Sequence, residues 1–200
     1  MERRDTVPAT GHRARYQPLV PLDRNQYQRL VAAMPSGWQV LADFLVLSGA
    51  RLAEVAALSV DNIDLATGQC RITQRWRPIN GGWILAPSPA PRTIVLPEQL
   101  LARLDLTHPG EELFRIDGAG GPGLILHFIR RIWRPAVDAV ADDLPGGRRP
   151  GTAVLRATCG QWLAEAGVPW PVIAAHLGYR DTGAFVTQWH HLLAAADPTR

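Results

Sequence analysis

The spacing of apolar residues changes twice along this chain, and that double change narrows the possible folds more than any other feature. Before about residue 69 and after about residue 97 the apolar residues recur at helical intervals. Between them, Cys70, Ile72, Gln74 and Trp76 fall on alternate positions of an extended segment. A short run of strands inside a helical chain predicts an α+β domain, predominantly helical, with one small three-stranded antiparallel sheet.

The boundaries follow from caps and breakers. Asp23 is placed to cap a helix running to Met34, which Pro35-Ser36-Gly37 ends. From Trp38 to Leu47 the residues Val40, Leu41, Phe44, Leu45 and Leu47 fill most of a helical face, which predicts a buried helix. Ser48-Gly49 breaks it, and a short helix resumes over Arg51 to Leu58. Strands are expected at Gln69–Trp76, Trp83–Leu85 and Arg92–Leu96, with a turn at Gly81-Gly82. Pro87, Pro89 and Pro91 assign the segment between the last two strands to an edge or a loop. Further helices are expected over Pro97–Leu106, Leu124–Val140, Thr152–Ala166, Pro171–Leu177 and Thr182–Ala196, with a loop at Leu144–Gly151. Residues 1–21 read as a flexible basic leader, and residues 22–200 as one domain.

Composition removes several classes. With 46% hydrophobic and 20% charged residues, 200 residues suffice for a single buried core. There is no run of 18 apolar residues and no apolar stretch behind the N-terminal charges, so no membrane partner is expected and the chain is placed in the cytoplasm. Cys70 and Cys159 lie far apart and are expected as buried thiols, not a disulfide or a zinc site. His176, His190 and His191 do not form a metal-ligand pattern, and no metal or cofactor is expected. All 21 basic residues are arginine. Arginine grips phosphate bidentately but holds its proton too tightly to act as a general acid. From Cys70 to Pro97 there are four arginines and no acid, and from Arg115 to Arg156 seven arginines stand against four aspartates. Together these stretches predict an electropositive face.

Two segments have specific spacing. One is Ser48-Gly49-Ala50-Arg51-Leu52-Ala53-Glu54-Val55, followed by Leu58, Asp61 and Ile63-Asp64, in which a glycine break aims Arg51 out of a helix junction with Glu54 available to orient it. The other comprises Leu155-Arg156-Ala157-Thr158, Gly167-Val168-Pro169 and His176-Leu177-Gly178-Tyr179. In series, these motifs resemble the catalytic domain of the tyrosine recombinase, or phage integrase, family over about Leu22 to Leu193.

That resemblance implies a fold in which two arginines hold a DNA phosphate while a tyrosine attacks it, forming a 3′-phosphotyrosyl bond without metal. A lysine on the sheet hairpin and a His or Trp assist. Arg51 and Arg156 match the two phosphate-binding arginines. The other positions depart from the pattern: Ala153 stands where the second box has His, Ala157 follows Arg156, and Ala86 is the approximate place of the hairpin lysine. Tyr179 occupies the His/Trp position, and Trp189 falls where the nucleophile belongs, with His191 trailing. Tryptophan has no oxygen to attack phosphorus. The expectation is a DNA-binding relative that does not cleave strands, with double-stranded DNA as partner and Arg75, Arg77, Arg92, Arg148 and Arg149 as DNA contacts. A bacterial chain of this kind is nucleoid-associated when it holds DNA. The helical core-binding domain that precedes this one in the family is not expected within residues 1–21, so affinity is expected to be modest and salt dependent. Two alternatives accompany this reading. One is cleavage through Tyr179, or in trans with an intact partner. The other is a module that pairs with itself or another recombinase through the stripe Phe185, Val186, Trp189, Leu192 and Leu193 on its last helix.

Overall fold

A computed structural model describes residues 19–147, 149–181, 183, 185, 186 and 189. Helix α1 (Arg24–Ala32) starts where Asp23 accepts from the Gln26 N–H and the Gln26 side chain accepts from the Asp23 N–H, a reciprocal cap. It buries Tyr27 and Leu30. Helix α2 (Ser36–Ser48) is apolar around most of its circumference and lies in the middle of the core, with Trp38, Leu41, Phe44 and Leu45 at most 2% exposed. It ends at Gly49, whose φ of +60° is left-handed; a Cβ there would also lie 2.4 Å from Leu177 Cδ2. Helix α3 (Leu52–Val55) follows at once.

The sheet has the order β1-β2-β3 and is antiparallel, with β1 at Ile63–Asp64, β2 at Gln69–Ile79 and β3 at Gly82–Val95. The strand count is as expected, but the strands are not. The segments expected as second and third strands are one continuous β3, and the third strand is the two-residue β1, too short to reveal an alternation. The turn is Asn80-Gly81, not Gly81-Gly82, since Ile79 pairs with Gly82. β3 accommodates Pro87, Pro89 and Pro91 because it is an edge strand and because pairing jumps from Ile72–Arg92 to Gln74–Pro87. Residues 88–91 therefore bulge opposite Thr73 alone.

Helix α4 (Glu98–Leu101) is shorter than expected, because i→i+3 bonds from Arg103 and Leu104 tighten the chain immediately after it. The expected long helix consists of α5 (Gly121–His127), a π-helical stretch (Phe128–Trp133) and α6 (Arg134–Ala139). Pro135 lacks the donor that would bond back one turn, and the wider turn ahead of it keeps the helix running. Helix α7 (Ala153–Glu165) buries every residue from Val154 to Gly160, and α8 (Trp170–Leu177) ends at left-handed Gly178. Beyond it the described residues Gly183, Phe185, Val186 and Trp189 are helical; Leu192 and Leu193 lie outside the described residues, as do 1–18 of the expected leader.

Two apolar clusters flank α7. The larger joins α1, α2, the inner sheet face and α5–α6; the smaller gathers Ala157, Cys159, Ile173, Ala174, Leu177, Phe185 and Trp189. Both cysteines are free and buried. Among the described residues no helix is long and apolar enough to cross a membrane, and no group of three His, Cys, Asp or Glu side chains converges as a metal cluster would.

Candidate functional site

The end of α2, the start of α3, the bulge of β3, α7 and the end of α8 meet around one carboxylate. Glu54 in α3 has a side chain with no solvent exposure. Its Oε2 accepts from the Arg51 backbone N–H at 2.9 Å and from Arg92 Nη2 at 3.0 Å. Its Oε1 accepts from Ser88 Oγ at 3.0 Å, Arg51 Nη1 at 3.2 Å and Arg92 Nη1 at 3.3 Å. Burial pushes this carboxyl group upward in pKa, but the bonds and charges of Arg92 and Arg51 outweigh it and hold Glu54 below the usual carboxylate range.

Arg92, expected at the DNA surface, is instead internal, its side chain 7% exposed. Besides its fork on Glu54, it donates from Nε to the His176 carbonyl at 2.8 Å, which ties β3 to both α3 and α8. Gly178 is where they touch: a Cβ would lie 2.9 Å from Arg92 Nη1. Arg92 points inward with the same parity along β3 as buried Ala90 and Ile94. Ser88, two residues past Ala86, is a site residue the sequence does not single out; it is 5% exposed and donates from its hydroxyl to Glu54.

Arg156 enters from α7. It is 9% exposed, donates from Nη1 to the Gly49 carbonyl at 2.8 Å, and so stitches the second motif to the first two residues before Arg51. Its Nη2 is buried without a hydrogen-bond partner among the described residues. Its guanidinium carbon lies 5.0 Å from the centre of the Tyr179 ring. Burial, then the Arg51 charge, pulls the Arg156 pKa down to about 10, which leaves it a cation at neutral pH. Arg51, in contrast, keeps 39% of its side chain exposed. His176 is held below its ordinary pKa by burial and by the charges of Arg92 and Arg156, against a bond to the Ser48 backbone. Its Nε2 lies 3.9 Å from Cys159 Sγ. Burial also raises the Cys159 thiol to about 12, so it is no nucleophile.

The structure thus brings Arg51, Arg156 and Tyr179 together. It adds Trp189, whose indole Nε1 donates to Tyr179 Oη at 3.0 Å and whose ring packs so closely on α7 that a Cβ at Gly160 would lie 2.3 Å from it. Ala153 is exposed one turn before Arg156, Ala157 is buried in the smaller cluster, and half-buried Ala86 pairs with Arg75 across the hairpin. Arg75 is half-buried and Arg77 exposed, both on β2. Arg149 is exposed and paired with Asp138, and Arg148 lies outside the described residues.

No protein-family model matches the sequence, and no curated protein does either. Solved structures do match. The chain superposes on the Tn1549 transposon integrase in complex with circular intermediate DNA with a TM-score of 0.69 at 16% identity, covering 87% of this chain and 62% of that one. It superposes on the catalytic domain of bacteriophage HP1 integrase with a TM-score of 0.59 at 18% identity, covering 90% and 95%. The fold is that of the tyrosine recombinase catalytic domain. A third likeness, to the XerH site-specific recombinase bound to its difH substrate, has a TM-score of 0.57 at 15% identity and covers 90% of this chain but 53% of that one. The chain therefore spans about three fifths of the integrase and half of the XerH chain, and nearly all of the HP1 catalytic domain. Within the tyrosine recombinase fold, the Arg51–Glu54–Arg92 network and Arg156 sit where α2, α3, β3, α7 and α8 converge.

Proposed function

We propose that this chain is a DNA-binding member of the tyrosine recombinase and integrase family that holds a backbone phosphate between Arg51 and Arg156 and does not cleave the strand. The observation that carries the reading is Arg156 Nη2, a buried donor with no partner among the described residues, on a guanidinium that feels the charge of partly exposed Arg51. A buried unsatisfied donor costs about 1–3 kcal/mol, more when charged, and an incoming phosphate oxygen removes that cost. Tyr179, in contact with the Arg156 guanidinium, is the third member of the site.

The non-cleaving part rests on residue chemistry. No lysine exists to protonate a leaving oxygen, Ala153 and Ala86 offer no acid or base, and the Trp189 indole carries a donor but no nucleophilic oxygen. Trp189 is 4% exposed and fills the notch at Gly160, which counts against a tyrosine borrowed in trans entering the same place. Phe185, buried beside it, packs on Tyr179 of its own chain, so two residues of the last-helix stripe are taken up by contacts within the chain, while Val186 is 43% exposed.

The rival reading, cleavage through Tyr179, is favoured by the closeness of that phenol to Arg156 and is separated by a nicked suicide duplex that traps any phosphotyrosyl bond. The expected result is no covalent protein–DNA adduct. An adduct that disappears in Tyr179→Phe overturns the non-cleaving reading.

A further inference from the structure

We propose that the arginine site takes a phosphate dianion, the charge state of a terminal phosphomonoester such as the phosphate at a DNA strand end or nick, in preference to the monoanionic phosphodiester of an unbroken strand. The assignment rests on the phosphate-binding reading above and adds to it the charge and ligand class.

Charge is the first argument. Arg51, Arg92 and Arg156 are three guanidinium cations that share one carboxylate, Glu54, so the cluster carries a net charge of +2. His176 adds nothing, because burial and the charges of Arg92 and Arg156 keep it neutral near pH 7. Glu54 cannot compensate further: its two oxygens already accept from five donors on Arg51, Arg92 and Ser88. A phosphodiester would leave one positive charge uncompensated around a buried guanidinium, whereas a monoester dianion neutralises the cluster.

Shape is the second. Arg156 is nine-tenths buried, its Nη2 has no hydrogen-bond partner among the described residues, and the partly exposed Arg51 is close enough for its charge to act on it. A diester carries a substituent on two sides and offers two terminal oxygens. A monoester carries one substituent, offers three terminal oxygens, and can approach Arg156 end-on.

Third, the groups that would turn such charge complementarity into catalysis are missing. A site matched to the doubly charged state of a reacting phosphate, without a nucleophile or acid, binds most tightly the stable group of that charge.

The test is calorimetric titration of the full chain with phenyl phosphate and with methyl phenyl phosphate, at pH 7.5 and 5.5. It is followed by competition between nicked duplexes carrying a phosphate or a hydroxyl at the nick. Phenyl phosphate is expected to bind at least about tenfold more tightly than the diester at pH 7.5. It should weaken about fourfold at pH 5.5, because the second ionisation of a phosphomonoester lies near pH 6, while the diester is unchanged. Arg156→Met and Arg51→Gln are expected to abolish the difference; the second alters a half-exposed side chain and guards against misfolding of the first. A preference for the phosphate-bearing nick assigns the ligand to DNA ends, and a preference limited to phenyl phosphate assigns it to a free phosphomonoester. Equal binding of monoester and diester overturns the dianion assignment and leaves the phosphate site standing. Failure of both esters and of duplex DNA to bind, with no effect of either variant, overturns the phosphate reading itself.

Discussion

The indole of Trp189 donates a 3.0 Å hydrogen bond to the hydroxyl of Tyr179, ten residues earlier, and the Tyr179 ring lies 5.0 Å from the guanidinium carbon of Arg156. Trp189 thereby buttresses the ring that lies against Arg156. Trp189→Phe keeps most of the ring but loses the donor, and is expected to cost about 1 kcal/mol in urea unfolding with a small loss of DNA affinity. Trp189→Tyr introduces a phenol with no lysine in the chain to serve it as an acid, and is expected to give no covalent adduct on a nicked substrate.

Gly160 is the floor on which that indole rests. In Gly160→Ala the new methyl group would lie 2.3 Å from Trp189 Cη2, so the ring must shift. The expected cost is about 1–3 kcal/mol, read from chemical denaturation, together with a change in tryptophan emission. An unchanged midpoint contradicts the close packing.

Glu54 and Arg92 form the buried link between the two motifs. Glu54→Gln leaves the Arg92 guanidinium without its counter-charge and is expected to destabilise by about 3–5 kcal/mol. The pH dependence has a definite sign. The folded Glu54 pKa is depressed, so its contribution is present above the unfolded value near 4.3 and is lost as pH falls through the folded value. His176, also depressed, adds a loss that begins higher, as pH falls below about 6.5, because the unfolded state takes up the proton first. His176→Gln should flatten the loss of stability that sets in as pH falls below about 6.5, and Glu54→Gln should flatten the one below about pH 4.3.

Arg156 is held in place at a cost to the fold. Its charge is desolvated, repelled by Arg51 and incompletely bonded. Arg156→Met is expected to be at least as stable as the wild type in thermal unfolding while losing DNA affinity, the trade expected where function maintains strain. Added phosphate should raise the midpoint of the wild type and not of the variant.

The parts of the molecule that were legible in the sequence are those with strong local chemistry. Asp23 with Gln26, the Gly49 break and the Gly178 stop mark helix ends through interactions within a few residues. The Gly49–Arg51–Glu54 spacing places the arginine and its orienting carboxylate by helix geometry alone. The misreadings have physical causes. Strand β1 has two residues, too few for a period. The prolines of β3 hid one continuous strand because its bulge and its edge position are decided by β2, not by β3 itself. Arg92 was placed outside because an arginine's burial depends on a partner, Glu54, that lies 38 residues away.

The most direct test of the central claim is fluorescence anisotropy of a labelled duplex with the wild type and with Arg51→Ala/Arg156→Ala, at about 50 and 200 mM salt. The account predicts that the wild type binds and weakens as salt rises. The folded double variant should lose most of its affinity and show a shallower salt dependence. Equal binding by the two proteins, or none by the wild type at low salt, contradicts it.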